Sequence, residues 1–175
     1  MRTELLLVIV FLPMVVEAWR ASRNERAQRA RGGIEPPGDV YRLMRAAYPL
    51  AFLAMIAEGF LRGGASSQLF GAGAVLFAAA KLLKTWAIAS LGDAWTFRVI
   101  VVPGASRIAH GPYRYISHPN YVGVVGELAG VAMMTRAAIA GPLVIAGFGA
   151  LLARRIAVER AALDAILAPT DEPGK

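Results

Sequence analysis

The strongest constraint on this chain is a succession of apolar segments too long and too many for a water-soluble fold to hide. Leu5 to Trp19, about Ala46 to Leu61, Leu69 to Leu91, Val122 to Met134 and Ala137 to Leu152 carry few charges. The third is long enough to cross a bilayer, for which about 20 residues suffice. In lipid, such segments must satisfy their own backbone groups, which selects helices. With 57% hydrophobic and 18% charged residues, the composition is too apolar for an ordinary soluble domain. The expectation is an all-α, polytopic integral membrane protein with about five transmembrane helices. At 175 residues it is one domain on length alone.

The joints between these segments carry the topology. Leu5 to Trp19 could be a signal peptide, but Glu17-Ala18-Trp19-Arg20 is a poor small-residue cleavage site, and it reads instead as a first membrane helix. Residues 20–45 form a basic loop in which Arg20 to Arg31 extends the helix and Glu25 and Arg29 are spaced for an i,i+4 pair. Gly32 to Gly38 breaks it, and Asp39 can cap the next helix. The other joints hold only Arg62 and Arg136. The positive-inside rule puts the N-terminus outside, with the 20–45 loop, the 91–120 loop and the C-terminus cytoplasmic. The net charge of +7 therefore suits topology at a membrane surface better than nucleic acid, which is not an expected partner.

Charges inside the apolar segments are few. Glu58, a carboxylate inside a membrane segment, is a functional candidate, and its nearness to Arg62 suits a local ion pair at least as well. Lys81 and Lys84 suit snorkelling to the headgroups, and Lys84 also lies near enough to the polar interval to face it. Gly126 and Gly130 make a small-xxx-small pair, a helix-packing signal. A two-residue turn at Thr135-Arg136 predicts a tight C-terminal helical hairpin, followed from Leu152 by a helix lying along the membrane surface. Residues 1–90 thus hold three transmembrane helices, 91–168 the chemistry, and 169–175 a polar tail.

That chemistry concentrates in residues 91–127, which gather Trp95, Arg98, His110, Tyr113, Arg114, Tyr115, His118, Asn120, Tyr121 and Glu127. A connector so rich in binding and titrating side chains is expected to form a site. Two histidines without a cysteine make a weak zinc site, so no metal is expected. No phosphate-cradling glycine loop follows a strand. Pro119 sits where a helix starts at no cost in hydrogen bonding, with Ser117 or His118 as its cap. The aromatic faces and the helix N-terminus suit a group-transfer cofactor. Trp95 and Tyr115 equally suit interfacial anchors, His118 a structural hydrogen bond, and Arg155 with Glu159 a solvated i,i+4 pair.

Leu91-Gly92-Asp93-Ala94-Trp95, Val102-Pro103-Gly104, Gly111-Pro112-Tyr113-Arg114-Tyr115, His118-Pro119-Asn120-Tyr121 and Arg155-Ile156 with Glu159 follow in an order that resembles the isoprenylcysteine carboxyl methyltransferase family. The resemblance spans roughly residues 80–167. It implies a membrane enzyme that uses S-adenosylmethionine, held in a cytoplasmic pocket, with a lipophilic acceptor entering from the bilayer. Carried over residue by residue, it implies that His118, Tyr121 and Glu159 bind cofactor, with Glu127 at the cofactor pocket and Arg155 bordering the methyl-transfer point; Tyr113 and Pro119 complete the expected cofactor-binding set. Arg155 and His118 would serve catalysis, and Trp95 and Arg98 the acceptor. Two departures from the family pattern stand out: Ser117 replaces the arginine before His-Pro, and Arg160 the second glutamate of the C-terminal motif. The short chain is similar to bacterial O-methyltransferases of alkylpyrones and alkylresorcinols. O-methylation of a lipophilic phenol, hydroxyl or carboxylate is the expected activity, at a bacterial plasma membrane. A phospholipid N-methyltransferase, a membrane reductase that uses NADPH, and a non-catalytic lipid-binding protein are the alternatives.

Overall fold

A computed structural model describes residues 2–106 and 108–167; the expected tail, 169–175, lies outside them. Among the described residues five α-helices form: α1 (Arg2–Ala30), α2 (Tyr41–Leu61), α3 (Ser67–Leu91), α4 (Pro119–Thr135) and α5 (Ala140–Leu167). Among the described residues no strand accompanies them, only an isolated antiparallel bridge between Ile34 and Val101. Short 3-10 turns at Gly92–Ala94 and Gly111–Arg114 punctuate the long connection from α3 to α4.

Four of the helices, α1, α2, α3 and α5, are long and apolar enough to cross a membrane. The fifth expected span, α4, is not among these four; its 17 residues lie at the short end of the range for a crossing helix. It begins only at Pro119 and ends where Arg136 turns left-handed, with φ 56° and ψ 39°. It is the inner helix of the bundle: Val124, Glu127, Leu128, Val131 and Met134 are all buried.

Glycine sets how closely α4 approaches α3. A Cβ on Gly130 would meet the Phe77 nitrogen at 2.8 Å and the Gly73 oxygen at 2.9 Å, and a Cβ on Gly73 would meet the Gly130 oxygen at 2.6 Å. The two glycines therefore face each other across the most extensive helix contact in the protein. Around this seam Phe52, Met55, Leu128 and Val131 form the fully buried centre, with Val10 from α1 and Phe77 from α3.

Two joints differ from the sequence reading, and a third, the helical extension of α1, forms as expected. The hairpin turn is longer than two residues, and Glu58 serves it twice. Its carboxylate pairs with Arg62 Nε at 2.7 Å, as the spacing predicts, and also accepts from Ile139 N and Ala140 N at the start of α5. The expected surface helix is not separate; its residues continue α5 without a break. The extension of α1 is clamped to the start of the polar interval. Buried Asn24 donates to the Gly92 and Trp95 carbonyls, and buried Gln28 to those of Asp93 and Ala94. These amides serve carbonyls just beyond the end of α3, where the regular helical ladder stops.

Candidate active site

Pro119 opens α4, and His118 before it is extended enough to leave the helix axis. The His118 side chain makes no capping bond, and neither sequence-derived cap candidate supplies one. The His118 carbonyl accepts from Tyr121 N and Val122 N instead. This turn sets the Tyr121 ring on the His118 imidazole, with centroids 5.3 Å apart and planes 13° from parallel. The Tyr121 hydroxyl donates to Glu159 Oε2 at 3.1 Å and accepts from Arg155 Nε at 3.0 Å. Arg155 and Glu159, one turn apart on α5, are thus joined through a tyrosine rather than forming a solvated pair. Arg155 Nη1 donates to Asp39 Oδ1 at 3.1 Å. Tyr113 belongs to the same neighbourhood: burial raises its phenol above the usual range, and the negative charge of Glu159 raises it further. In the same first turn of α4, Asn120 Oδ1 is a buried acceptor with no donor among the described residues.

Asp39 is the residue that sequence reasoning undervalued. It does serve the head of α2, accepting from Tyr41 N at 3.1 Å. Its second oxygen accepts from Val99 N at 3.0 Å, and its side chain is 3% exposed. It therefore ties α2, the polar interval and α5 together. No spacing rule links residues 116 positions apart.

The other expected site residues lie elsewhere. Trp95 is 3% exposed and packs edge-on against Phe97 beside Ala21 and Ile88. Arg98 pairs with Glu35 Oε1 at 2.6 Å and Glu25 Oε1 at 3.1 Å, and sits 4.5 Å from the Tyr41 ring centre. With Glu35, Asp39, Tyr41 and Arg42 it lines an open cavity of about 340 Å³ adjoining the Arg155 chain. Burial alone would raise the Glu35 carboxyl, but hydrogen bonds from Arg29 and Arg98 outweigh it and hold that group below the usual range.

Glu127 is 1% exposed and lies inside the bundle. The Tyr48 hydroxyl donates to it, Lys81 Nζ lies 2.9 Å from Oε1, and Lys84 Nζ 3.4 Å from Oε2. Both lysines also reach Glu17 of α1, at 3.3 and 2.7 Å. The snorkelling expected of Lys81 and Lys84 is therefore overturned. Two carboxylates give them inward partners, and the four formal charges cancel, with Lys84 and Glu127 buried.

The sequence profile of the isoprenylcysteine carboxyl methyltransferase family matches residues 73–165, just over half of the chain. The chain belongs to this family. Members use S-adenosylmethionine, and membership together with the apolar helices makes this an integral membrane protein of methyltransferase type. The matched segment of this methyltransferase-family chain carries His118, Tyr121, Arg155 and Glu159, but not Asp39, Tyr48 or Glu17. The uncharacterized protein YpbQ of Bacillus subtilis is 30% identical over 159 residues, covering 91% of this chain and 95% of that one. An uncharacterized protein of Haemophilus influenzae is 27% identical over 145 residues, covering 81% and 83%. No solved structure matches.

Proposed function

We propose that this protein transfers a methyl group from S-adenosylmethionine to a carboxylate, phenol or hydroxyl oxygen of a lipophilic small molecule or prenylcysteine-like compound. The observation that carries this reading is the linked chain of His118, Tyr121, Arg155 and Glu159, brought together from the head of α4 and from α5 inside the family-matched segment.

The residues fit the cofactor's chemistry. Glu159 offers a carboxylate to an ammonium group, and the His118–Tyr121 stack offers faces to a heterocycle or a sulfonium. The donorless Asn120 Oδ1 suits an N–H from a ligand, since a buried acceptor left unpaired is costly. When bound, S-adenosylmethionine supplies an electrophilic methyl carbon. The chain's own task is to align an acceptor oxygen opposite the leaving sulfur and to exclude water. Arg155 engages Tyr121 and Asp39 through Nε and Nη1, and among the described residues Nη2 makes no hydrogen bond. That nitrogen can donate to an anionic oxygen, which favours oxygen acceptors over the amines of phospholipids. A carboxylate or phenolate needs no base; a neutral hydroxyl would give its proton to His118.

The acceptor reaches the site from the bilayer, and the site faces the cytoplasm with the N-terminus outside. Calorimetric titration of detergent-purified protein with S-adenosylhomocysteine tests the cofactor. Binding in the micromolar range, lost in Glu159→Ala, is expected. Folded protein that does not bind would leave a non-catalytic lipid-binding role.

A further inference from the structure

We propose that Asp39 is a positioning residue that fixes the Arg155 guanidinium for its work at the site. The proposal rests on the reading of Arg155 and Glu159 as site residues. Three observations carry it. First, Asp39 is itself immobilised: one oxygen accepts from Tyr41 N and the other from Val99 N, so two backbone segments aim the carboxylate before Arg155 meets it. Second, the contact is buried on both sides, with side-chain exposures of 7% for Arg155 and 3% for Asp39. Buried charges bound by fixed partners in low dielectric hold geometry far better than solvated pairs. Third, the bond is the end of a line. Asp39 holds Arg155, Arg155 donates to the Tyr121 hydroxyl, and that hydroxyl donates to Glu159.

A long arginine side chain reaching from α5 otherwise has many rotamers open to it. Fixing Nε on Tyr121 and Nη1 on Asp39 removes that freedom. It leaves Nη2 as the donor for an anionic oxygen. Asp39 is neither in the family-matched segment nor a group that touches the reacting atoms. Its effect passes entirely through Arg155. Because Tyr121 links Arg155 to Glu159, a displaced Arg155 is felt by the cofactor-binding acid as well. S-adenosylhomocysteine affinity therefore reports the displacement.

The test is a double-variant cycle in full-length protein in detergent, read by S-adenosylhomocysteine titration, with thermal unfolding run in parallel. Asp39→Asn is expected to weaken binding about tenfold. Asp39→Glu, which keeps the charge but misplaces it by one methylene, should weaken it by a smaller factor. In an Arg155→Gln background neither change should weaken binding further, because the group that Asp39 holds is gone. A purely structural role predicts the opposite, with Asp39 changes lowering affinity equally in both backgrounds. If Asp39→Asn shows no cooperative unfolding, Asp39→Glu carries the same criterion. Additive losses, or folded Asp39 variants that bind like the parent, overturn the proposal. So does a loss confined to Glu159→Ala, which would remove Arg155 from the cofactor's surroundings. Unchanged affinity in both Arg155→Gln and Glu159→Ala would instead sink the cofactor-site reading itself.

Discussion

Tyr121 does two separable things, and a single substitution divides them. Tyr121→Phe keeps the ring on His118 but removes the hydroxyl shared by Arg155 and Glu159. Hydrogen bonds to charged groups contribute about 1.5–3 kcal/mol. Cofactor-analogue affinity should therefore fall about tenfold or more in titration, with the fold intact. The charged quartet of Glu17, Lys81, Lys84 and Glu127, in which Lys84 and Glu127 are buried, obeys a different rule. Lys84→Met leaves two carboxylates with one ammonium, and unpairing a buried charge costs ~3–5 kcal/mol. Denaturant titration in detergent should show Lys84→Met destabilised, and Lys84→Met combined with Glu127→Gln less so. Outside the membrane, Glu35 gives a pH signature. Its carboxyl is held below the usual range by Arg29 and Arg98, so its tether stabilises the fold above the ordinary glutamate value of about 4.3. That stabilisation disappears as pH falls through the depressed folded value. The melting-temperature gap between the parent and Glu35→Gln should be open near neutrality and close on acidification.

Between helices, close approach does the work that side-chain volume does elsewhere. Gly130→Ala would drive a methyl into the Phe77 nitrogen and the Gly73 oxygen, and overpacking of this kind costs about 1–3 kcal/mol. At Gly147 of α5 a methyl would meet nothing within 4 Å. There Ala should be neutral or stabilising by up to ~1 kcal/mol, and melting temperatures of the two variants should move apart. The glycine spacing that makes this seam was readable in the sequence, as were the helices, because apolar runs and Pro119 are local signals. The meeting of His118, Tyr121, Arg155 and Glu159 followed from an ordered set of motifs. Asp39, Glu17 and Tyr48 were not readable as partners. A lone acid before a helix looks like a cap, and an acid in a first apolar segment looks like a helix end. Their partners lie 116, 64 and 79 residues away. Lys81 and Lys84 misled for the same reason: snorkelling is the local solution, and the inward one depends on helices distant in sequence.

For the molecule as a whole, the arrangement of charge makes a claim about sidedness that the absence of cysteine makes easy to check. Ser67 at the head of α3 and Ser106 in the polar interval are both exposed. In intact cells, Ser67→Cys should react with a membrane-impermeant maleimide, and Ser106→Cys only after permeabilisation; the reverse pattern would invert the topology. The network within the bundle also bears on biogenesis. Synthesis proceeds from the N-terminus, so α1 enters the bilayer carrying Glu17 before Lys81 and Lys84 exist. Asn24 and Gln28 likewise emerge well before the carbonyls of Gly92 to Trp95 that they bind. The polar groups of α1 thus wait for α3 and the residues just after it. Until the ribosome has passed α3, the first helix stands in lipid with an unanswered acid, which makes it the natural client of an insertase or chaperone that shelters polar groups during assembly.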